Sequence, residues 1–161
     1  MEWKEVCSDP HLQNLPFKIE LNEDGKIIMS PVKVYHAVLQ GKILSLLNNL
    51  LPGGEAFPEC AIATDKGTRV ADVVWASKER LNIIASEDEC SIAPEICIEI
   101  TSSSNTPREL NEKKTLYFKK GAQEVWFCDH NGNIQFLGID RPLEKSHLVS
   151  AFPAKIEISL A

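Results

Sequence analysis

The sequence lacks any long uninterrupted run of apolar residues. No apolar stretch approaches the roughly 20 residues that a membrane-spanning helix needs. The first ten residues, MEWKEVCSDP, contain no apolar signal-peptide core. Hydrophobic residues make up 43% and charged residues 25% of the 161 residues, which is typical of a soluble globular protein. We therefore expect a single domain over residues 1–161, located in the cytoplasm and without a membrane partner.

Paired cysteine motifs are also missing. The five cysteines include no CxxC pair and are odd in number, which argues against a disulfide framework or a zinc knuckle. We expect reduced thiols, with Cys97 and Cys128 in the core. No cysteine has a base beside it in the sequence, which disfavours cysteine-based catalysis.

Positive charge is scarce. The chain has 17 Lys and Arg against 23 Asp and Glu, so its formal net charge is −6. Tight non-specific binding to nucleic acid depends on Lys and Arg displacing counterions from phosphates. A nucleic-acid-binding role would therefore require local basic patches or a second, basic partner.

Hydrophobic periodicity predicts an α/β fold with a mixed central β-sheet and two main flanking helices. Residues 1–16 are predicted to be irregular, and the segment from residue 97 to residue 128 is predicted to form a right-handed βαβ unit. The predicted strands cover residues 17–21, 26–29, 56–64, 68–75, 96–100, 124–129, 134–137 and 156–160. The predicted helices cover residues 31–51, 77–84 and 107–120.

Helix starts are marked by capping signals. Ser30 is predicted to be an N-cap with Pro31 at the first helical position. Thr106, Pro107 and Glu109 have the spacing of a capping box for the later helix.

Two acidic residues interrupt apolar strands. Glu99 lies within Ile96–Ile100, and Asp72 lies within Val70–Trp75. Burying an ionised carboxylate costs several kcal/mol unless a cation or strong donors compensate. Magnesium takes oxygen ligands and is commonly held by one or two carboxylates. A lysine on the following helix could orient a water or neutralise a phosphate oxygen, and helical spacing leaves both Lys113 and Lys114 open.

These residues resemble the PD-(D/E)XK restriction-endonuclease-like superfamily. The resemblance is closer to a small bacterial family described only as restriction endonucleases of uncharacterised function. It spans about residues 17–160. The motifs that carry it are IELNEDGKIIMSP, RVADVVW, APEICIEITSSS, RELNEKKTLYFKKGAQEVWFCD and SAFPAKIEI.

The resemblance implies a restriction-endonuclease-like fold and a magnesium- or manganese-dependent endonuclease acting on DNA. Cutting both strands would favour a homodimer. It implies that Asp72, Glu99 and the Ile100 carbonyl hold the metal. Of the two lysines it selects Lys113 as catalytic. Two auxiliary residues are also implied by it: an acid, Glu20, and a pocket histidine, His36.

The sequence departs from the superfamily pattern at two positions and from the closer family's pattern at a third. Ala71 precedes the aspartate where the superfamily name implies proline, and Thr101 stands where the archetype has its lysine. The closer family shares this second departure, with the lysine moved to the next helix. Ser103 replaces the proline of its usual Ser-Pro-Ser segment.

Each site residue also has a purely structural interpretation. Asp72 could cap a strand end or pair with Arg69, and Glu99 could form a metal-free ion pair with Lys113. Alternatively, Lys113 belongs to a solvated helix face, Glu20 is exposed on the polar side of its hairpin, and His36 is a boundary histidine. The net charge of −6 and the departures from the superfamily motif favour a second function class, a catalytically silent nuclease-fold module for protein interaction or dimerisation.

Overall fold

The computed structural model describes residues 1–158 and has a mixed α/β fold. The helices are α1 (Trp3–Ser8), α2 (Val34–Leu50), α3 (Lys78–Ile84) and α4 (Pro107–Lys119), with a 3-10 turn at Pro10–Leu12. The strands are β1 (Phe17–Leu21), β2 (Ile27–Pro31), β3 (Gly54–Thr64), β4 (Gly67–Ser77), β5 (Ile96–Ile100), β6 (Glu124–Cys128), β7 (Ile134–Leu137) and β8 (Pro142–Leu143).

Six strands form the central sheet in the order β3-β4-β5-β6-β7-β8. Strands β5 and β6 are parallel and all other neighbouring pairs are antiparallel. The β5-α4-β6 segment is thus a parallel βαβ unit, and the predicted mixed sheet with flanking helices is confirmed. The right-handed crossover stays a prediction. Strands β1 and β2 form a separate antiparallel hairpin.

The sheet has a hydrophobic core on each face. Helix α2 covers one face with Leu39, Ile43 and Leu47, which are four residues apart and therefore lie on one side of the helix. Helices α3 and α4 cover the other face, where Ile84 and Tyr117 are buried. None of the helices in residues 1–158 combines the length and apolarity that a membrane crossing requires.

The caps of α3 and α4 agree with the sequence. The Thr106 hydroxyl accepts the Glu109 N–H at 3.2 Å, and the Glu109 carboxylate accepts the Thr106 N–H at 3.3 Å. The Ser77 side chain likewise accepts from the Arg80 N–H at the start of α3. These bonds satisfy backbone donors that have no partner inside the helix, which fixes where each helix begins.

The predicted start of α2 is wrong. Ser30 and Pro31 remain in β2, where they pair with Lys18 and Phe17, and the helix begins at Val34. A proline is tolerated at the end of an edge strand because its missing N–H faces no partner. The strand pairing with β1 therefore overrides the local capping signal.

The N-terminal segment contains a helix where irregular structure was predicted. Helix α1 has a capping box formed by Glu2 and Glu5 and buries Val6. The indole N–H of Trp3 donates to the Asp88 carbonyl at 3.0 Å, which ties this segment to the acidic loop after α3.

The predicted last strand is not formed in the part of it that the structure describes. Lys155 makes a single antiparallel bridge with Asn133, and residues 156–158 adopt no strand. Leu160 lies outside the described residues. The edge position beside β7 is taken by the short strand β8, which was not predicted.

All five cysteines have free thiols, and Cys97 and Cys128 are buried as expected. Cys60 and Cys90 are also buried, with their sulfur atoms 3.4 Å apart. Burial raises the pKa of Cys97 well above its ordinary value, so a reactive thiolate is disfavoured there.

Candidate active site

Asp72 and Glu99 come together where the pairing of β4 with β5 stops. That ladder runs from Trp75↔Ile96 to Val73↔Ile98, and one further step places Asp72 opposite Glu99 on the same face of the sheet. Asp72 is 1% and Glu99 4% exposed. Asp72 lies in the middle of β4, whereas Glu99 is the second-last residue of β5.

Asp72 closes the end of this ladder with one carboxylate oxygen. Its Oδ2 accepts the backbone N–H of Ile100 at 2.8 Å. The strand-capping interpretation is therefore correct for Oδ2, whereas Oδ1 points to cationic side chains. Ile100 follows Glu99 at the end of β5, and the metal-binding role of its carbonyl stays a prediction.

Helix α4 directs Lys113 and Tyr117 to Glu99. The two residues are four apart and share one helix face. Lys113 Nζ lies 3.2 Å from Glu99 Oε1, and the Tyr117 hydroxyl donates to the same oxygen at 2.6 Å. Lys114 lies elsewhere, along a groove that also contains Phe127. Of the two lysines that helical spacing left open, Lys113 is therefore the one that lies beside Glu99.

Glu20 is part of the same cluster. It is buried, its Oε2 lies 2.8 Å from Lys113 Nζ, and it accepts the Val70 N–H at 2.7 Å. Val70 lies in the part of β4 that extends beyond its pairing with β5, so a side chain satisfies its N–H there. The interpretation of Glu20 as an exposed hairpin residue is wrong, because the polar side of β1 faces the cluster.

Lys18 is the site residue that the sequence analysis missed. Its Nζ lies 3.1 Å from Asp72 Oδ1 and 3.3 Å from Glu99 Oε2, and its side chain is 13% exposed. The available signal was its spacing of two from Glu20, which puts both side chains on one face of a strand.

His36 and Gln40 approach Asp72 from α2. His36 Nε2 lies 3.2 Å from Asp72 Oδ1, which agrees with its predicted place near the pocket. One turn later, the Gln40 amide donates to the Asp72 carbonyl at 2.8 Å and to Glu59 at 2.7 Å. Helix α2 therefore contacts both the side chain and the backbone of Asp72.

Charge and burial act in opposite directions in this cluster. Burial disfavours the Asp72 carboxylate, but the nearby Lys18 charge and the His36 hydrogen bond outweigh it, so the pKa of Asp72 is lowered. For Glu99 burial is the larger effect, and its pKa is raised despite Lys113 and Lys18. The hydrogen bond to Asp72 raises the pKa of His36.

The carboxylate oxygens present fit an ion such as Mg²⁺, which takes only one or two of its ligands from protein carboxylates. Two buried carboxylates converge on one small cation, the Lys18 ammonium, with one oxygen each. Among residues 1–158, no set of three or more His, Cys, Asp and Glu side chains is arranged to hold a metal. A Mg²⁺ ion held by one or two carboxylates and several waters matches such a donor set.

Not every charged residue near the site belongs to it. Arg69, an alternative partner for Asp72, instead lies 3.6 Å from Glu112. Glu124 is a buried acid that the sequence analysis did not single out. It accepts hydrogen bonds from the Trp126 indole and from the backbone of His147, so it organises the C-terminal loop instead of binding a cation in this cluster.

Known proteins share this arrangement of sheet and helices. A structure described as a "putative nuclease" of DUF820 from Anabaena variabilis is 24% identical, with a TM-score of 0.68, and the match covers 88% of this chain and 81% of that chain. No curated protein sequence matches the chain significantly.

The fold is that of the restriction-endonuclease-like proteins. The sequence profile of the Uma2 family, described as "Putative restriction endonuclease", matches residues 6–150. The chain therefore belongs to the Uma2 family, which confirms the resemblance drawn from its motifs.

Proposed function

We propose that the protein is a divalent-metal-dependent endonuclease that hydrolyses phosphodiester bonds in nucleic acid, with DNA as the substrate. The observation that carries the proposal is the convergence of Asp72, Glu99 and Lys113. These residues come from two strands and a helix. Asp72 and Glu99 both contact the Lys18 ammonium, and Lys113 contacts Glu99. The family description supports the same class of reaction.

Asp72 and Glu99, with the Ile100 carbonyl, would hold Mg²⁺ or Mn²⁺. When bound, such an ion supplies Lewis-acid polarisation of a phosphate and lowers the pKa of a bound water. Two protein carboxylates leave most coordination positions to water and substrate, as magnesium commonly requires.

Lys113 would act on the attacking water and on charge that develops at the phosphate. Its ammonium is held by Glu20 on one side and Glu99 on the other, at 2.8 and 3.2 Å. This fixes its direction before substrate binds, so little reorganisation is needed during the reaction. Glu20 would therefore position the lysine, and His36 would help to orient Asp72.

Because the net charge is −6, the chain as a whole repels DNA phosphates. Binding would therefore depend on the metal ion and the lysine side chains at the site. A homodimer would present two such sites and would allow both strands of a duplex to be cut. Dimerisation is part of the proposal.

The test is cleavage of supercoiled, linear and single-stranded DNA with Mg²⁺ or Mn²⁺. Lys113→Met should reduce the rate by roughly 100-fold, since a group that stabilises developing charge is lost. Lys114→Met is the matched control, because it removes the same charge from the adjacent position of α4 and should retain activity. Absence of metal-dependent cleavage of every DNA form would overturn the proposal.

A second candidate is a catalytically silent module for protein interaction or dimerisation. The observation that favours it is Lys18, whose ammonium already contacts both acids within the protein. On this alternative Asp72→Ala leaves partner binding and cellular effect unchanged, whereas the nuclease proposal expects loss of the cellular effect.

A further inference from the structure

Lys18 occupies the position between the two acids that a divalent cation would need. Each acid has one oxygen engaged by fixed protein donors: Asp72 Oδ2 accepts the Ile100 N–H, and Glu99 Oε1 accepts the Tyr117 hydroxyl. The other two oxygens, Asp72 Oδ1 and Glu99 Oε2, both contact Lys18 Nζ. They are the oxygens that face the space between the carboxylates.

We propose that Lys18 is a built-in competitor for the metal, holding the site in a metal-free state until a divalent cation displaces its ammonium. This inference rests on the proposed metal-dependent function. An ammonium and a dication cannot both lie between the same two oxygens, because like charges at contact distance repel strongly in a buried site. Binding of the metal must then include removal of Lys18 from at least one acid.

The position of Lys18 in the fold makes such a displacement feasible. It lies on β1, which belongs to the separate two-stranded hairpin and not to the central sheet that carries both acids. Its backbone is fixed by pairing with Ser30, while its flexible four-carbon side chain reaches the acids. The side chain can therefore turn away without any change in the sheet.

The competition has a measurable effect on metal affinity. The apparent association constant for the metal equals the intrinsic constant multiplied by the fraction of molecules in which Lys18 has left the site. Calorimetric titration of the 161-residue chain with Mn²⁺ should give a dissociation constant about tenfold lower for Lys18→Met than for the unmodified chain. Lys18→Gln, which keeps a hydrogen-bond donor but lacks the charge, should behave in the same way.

Lys26→Met is the matched control. Lys26 is an exposed lysine of the same hairpin, so the variant has the same net charge as Lys18→Met without altering the cluster. Its dissociation constant for Mn²⁺ should stay within about twofold of the unmodified chain, since exposed charges are screened by salt.

A second measurement needs no substitution and so does not depend on whether the variants fold. Acetic anhydride labelling, followed by mass spectrometry, reports the reactivity of Lys18 in the unmodified chain. Added Mn²⁺ should increase acetylation of Lys18, because displacement frees the amine from its two acids. Acetylation of Lys26 should not change.

The results separate this inference from the proposed function. Tighter Mn²⁺ binding by the Lys18 variants, or metal-enhanced acetylation of Lys18, supports the competition. Mn²⁺ binding with equal or weaker affinity in the variants and unchanged acetylation overturns the competition alone and leaves the metal site intact. If neither the unmodified chain nor any variant binds Mn²⁺, the competition and the metal-dependent function both fail.

Discussion

Lys113 and Glu20 form a 2.8 Å ion pair that joins helix α4 to a strand of the separate hairpin. The pair is largely buried, and Lys113 also contacts Glu99 of the central sheet. The hairpin is therefore attached to the sheet through the charges of the candidate site. Changes in these charges should affect the stability of the fold as well as the chemistry.

Glu20→Gln should lower the free energy of unfolding by about 2 kcal/mol, because a buried hydrogen bond to a charged group is lost. Glutamine can still accept the Val70 N–H, so the fold should persist. The measurement is urea denaturation followed by circular dichroism. Glu23→Gln removes an exposed acid from the turn of the same hairpin and should change stability little. Equal stability of both variants would show that the Lys113–Glu20 pair contributes nothing.

Tyr117→Phe should cost about 1.5 kcal/mol of stability, since it removes a buried hydroxyl that donates to the Glu99 carboxylate. The ring still fills its place in the core, so the variant should unfold cooperatively. Tyr35→Phe is the matched control, because it removes the same hydroxyl from a tyrosine outside the acid cluster. The Tyr35 ring is half-buried and packs in a T-shaped arrangement against the His130 ring. A stability loss in the control as large as in Tyr117→Phe would argue against a special role for the hydroxyl.

The buried acids Glu99 and Glu124 should respond differently to neutralisation. Glu124→Gln should cost about 2 kcal/mol, because its amide cannot accept all three N–H groups that the carboxylate accepts. It should leave Mn²⁺ affinity unchanged in calorimetry. Glu99→Gln should abolish Mn²⁺ binding. Loss of metal binding in Glu124→Gln at full stability would contradict the separation of structural and site acids.

Asp129 should make stability depend on pH under acidic conditions. Burial acts against its charge, but hydrogen bonds from Asn133 and Asn131 prevail and lower its pKa from the ordinary 3.8. The ionised form therefore stabilises the fold above pH 3.8, and this contribution is lost as the pH falls through the lower pKa of the folded state. Asp129→Asn should be less stable than the unmodified chain by under about 1 kcal/mol at neutral pH.

That difference should shrink as thermal unfolding is repeated at successively lower pH below 3.8, since the stabilising ionised form is lost as the pH falls through the lowered pKa of the folded state. A difference that is independent of pH would assign the effect to the shape of the turn and not to the charge of Asp129.

Local signals predicted much of the fold because they coincide with tertiary structure. The capping box of Thr106 and Glu109 fixes the start of α4, and the apolar run around Glu99 is a central strand. The Ser30-Pro31 signal failed because pairing with β1 involves residues 12 to 14 positions away, which a local motif does not reveal.

The candidate site was predictable in part. Asp72 and Glu99 stand out as acids in apolar strands, and helical spacing narrowed the lysine to two positions. Lys18 was missed because alternation along β1 predicts only that it shares a face with Glu20, not that this face turns inward. Glu124 shows why a buried acid alone does not define a metal site.

The most direct test is anomalous X-ray diffraction from crystals soaked in Mn²⁺. A single anomalous peak should lie within coordination distance of Asp72 and Glu99, with Lys113 beside it and Lys18 displaced from at least one acid. A well-ordered structure in which both acids keep their contacts with Lys18 and no manganese lies between them would contradict the proposed metal-dependent nuclease.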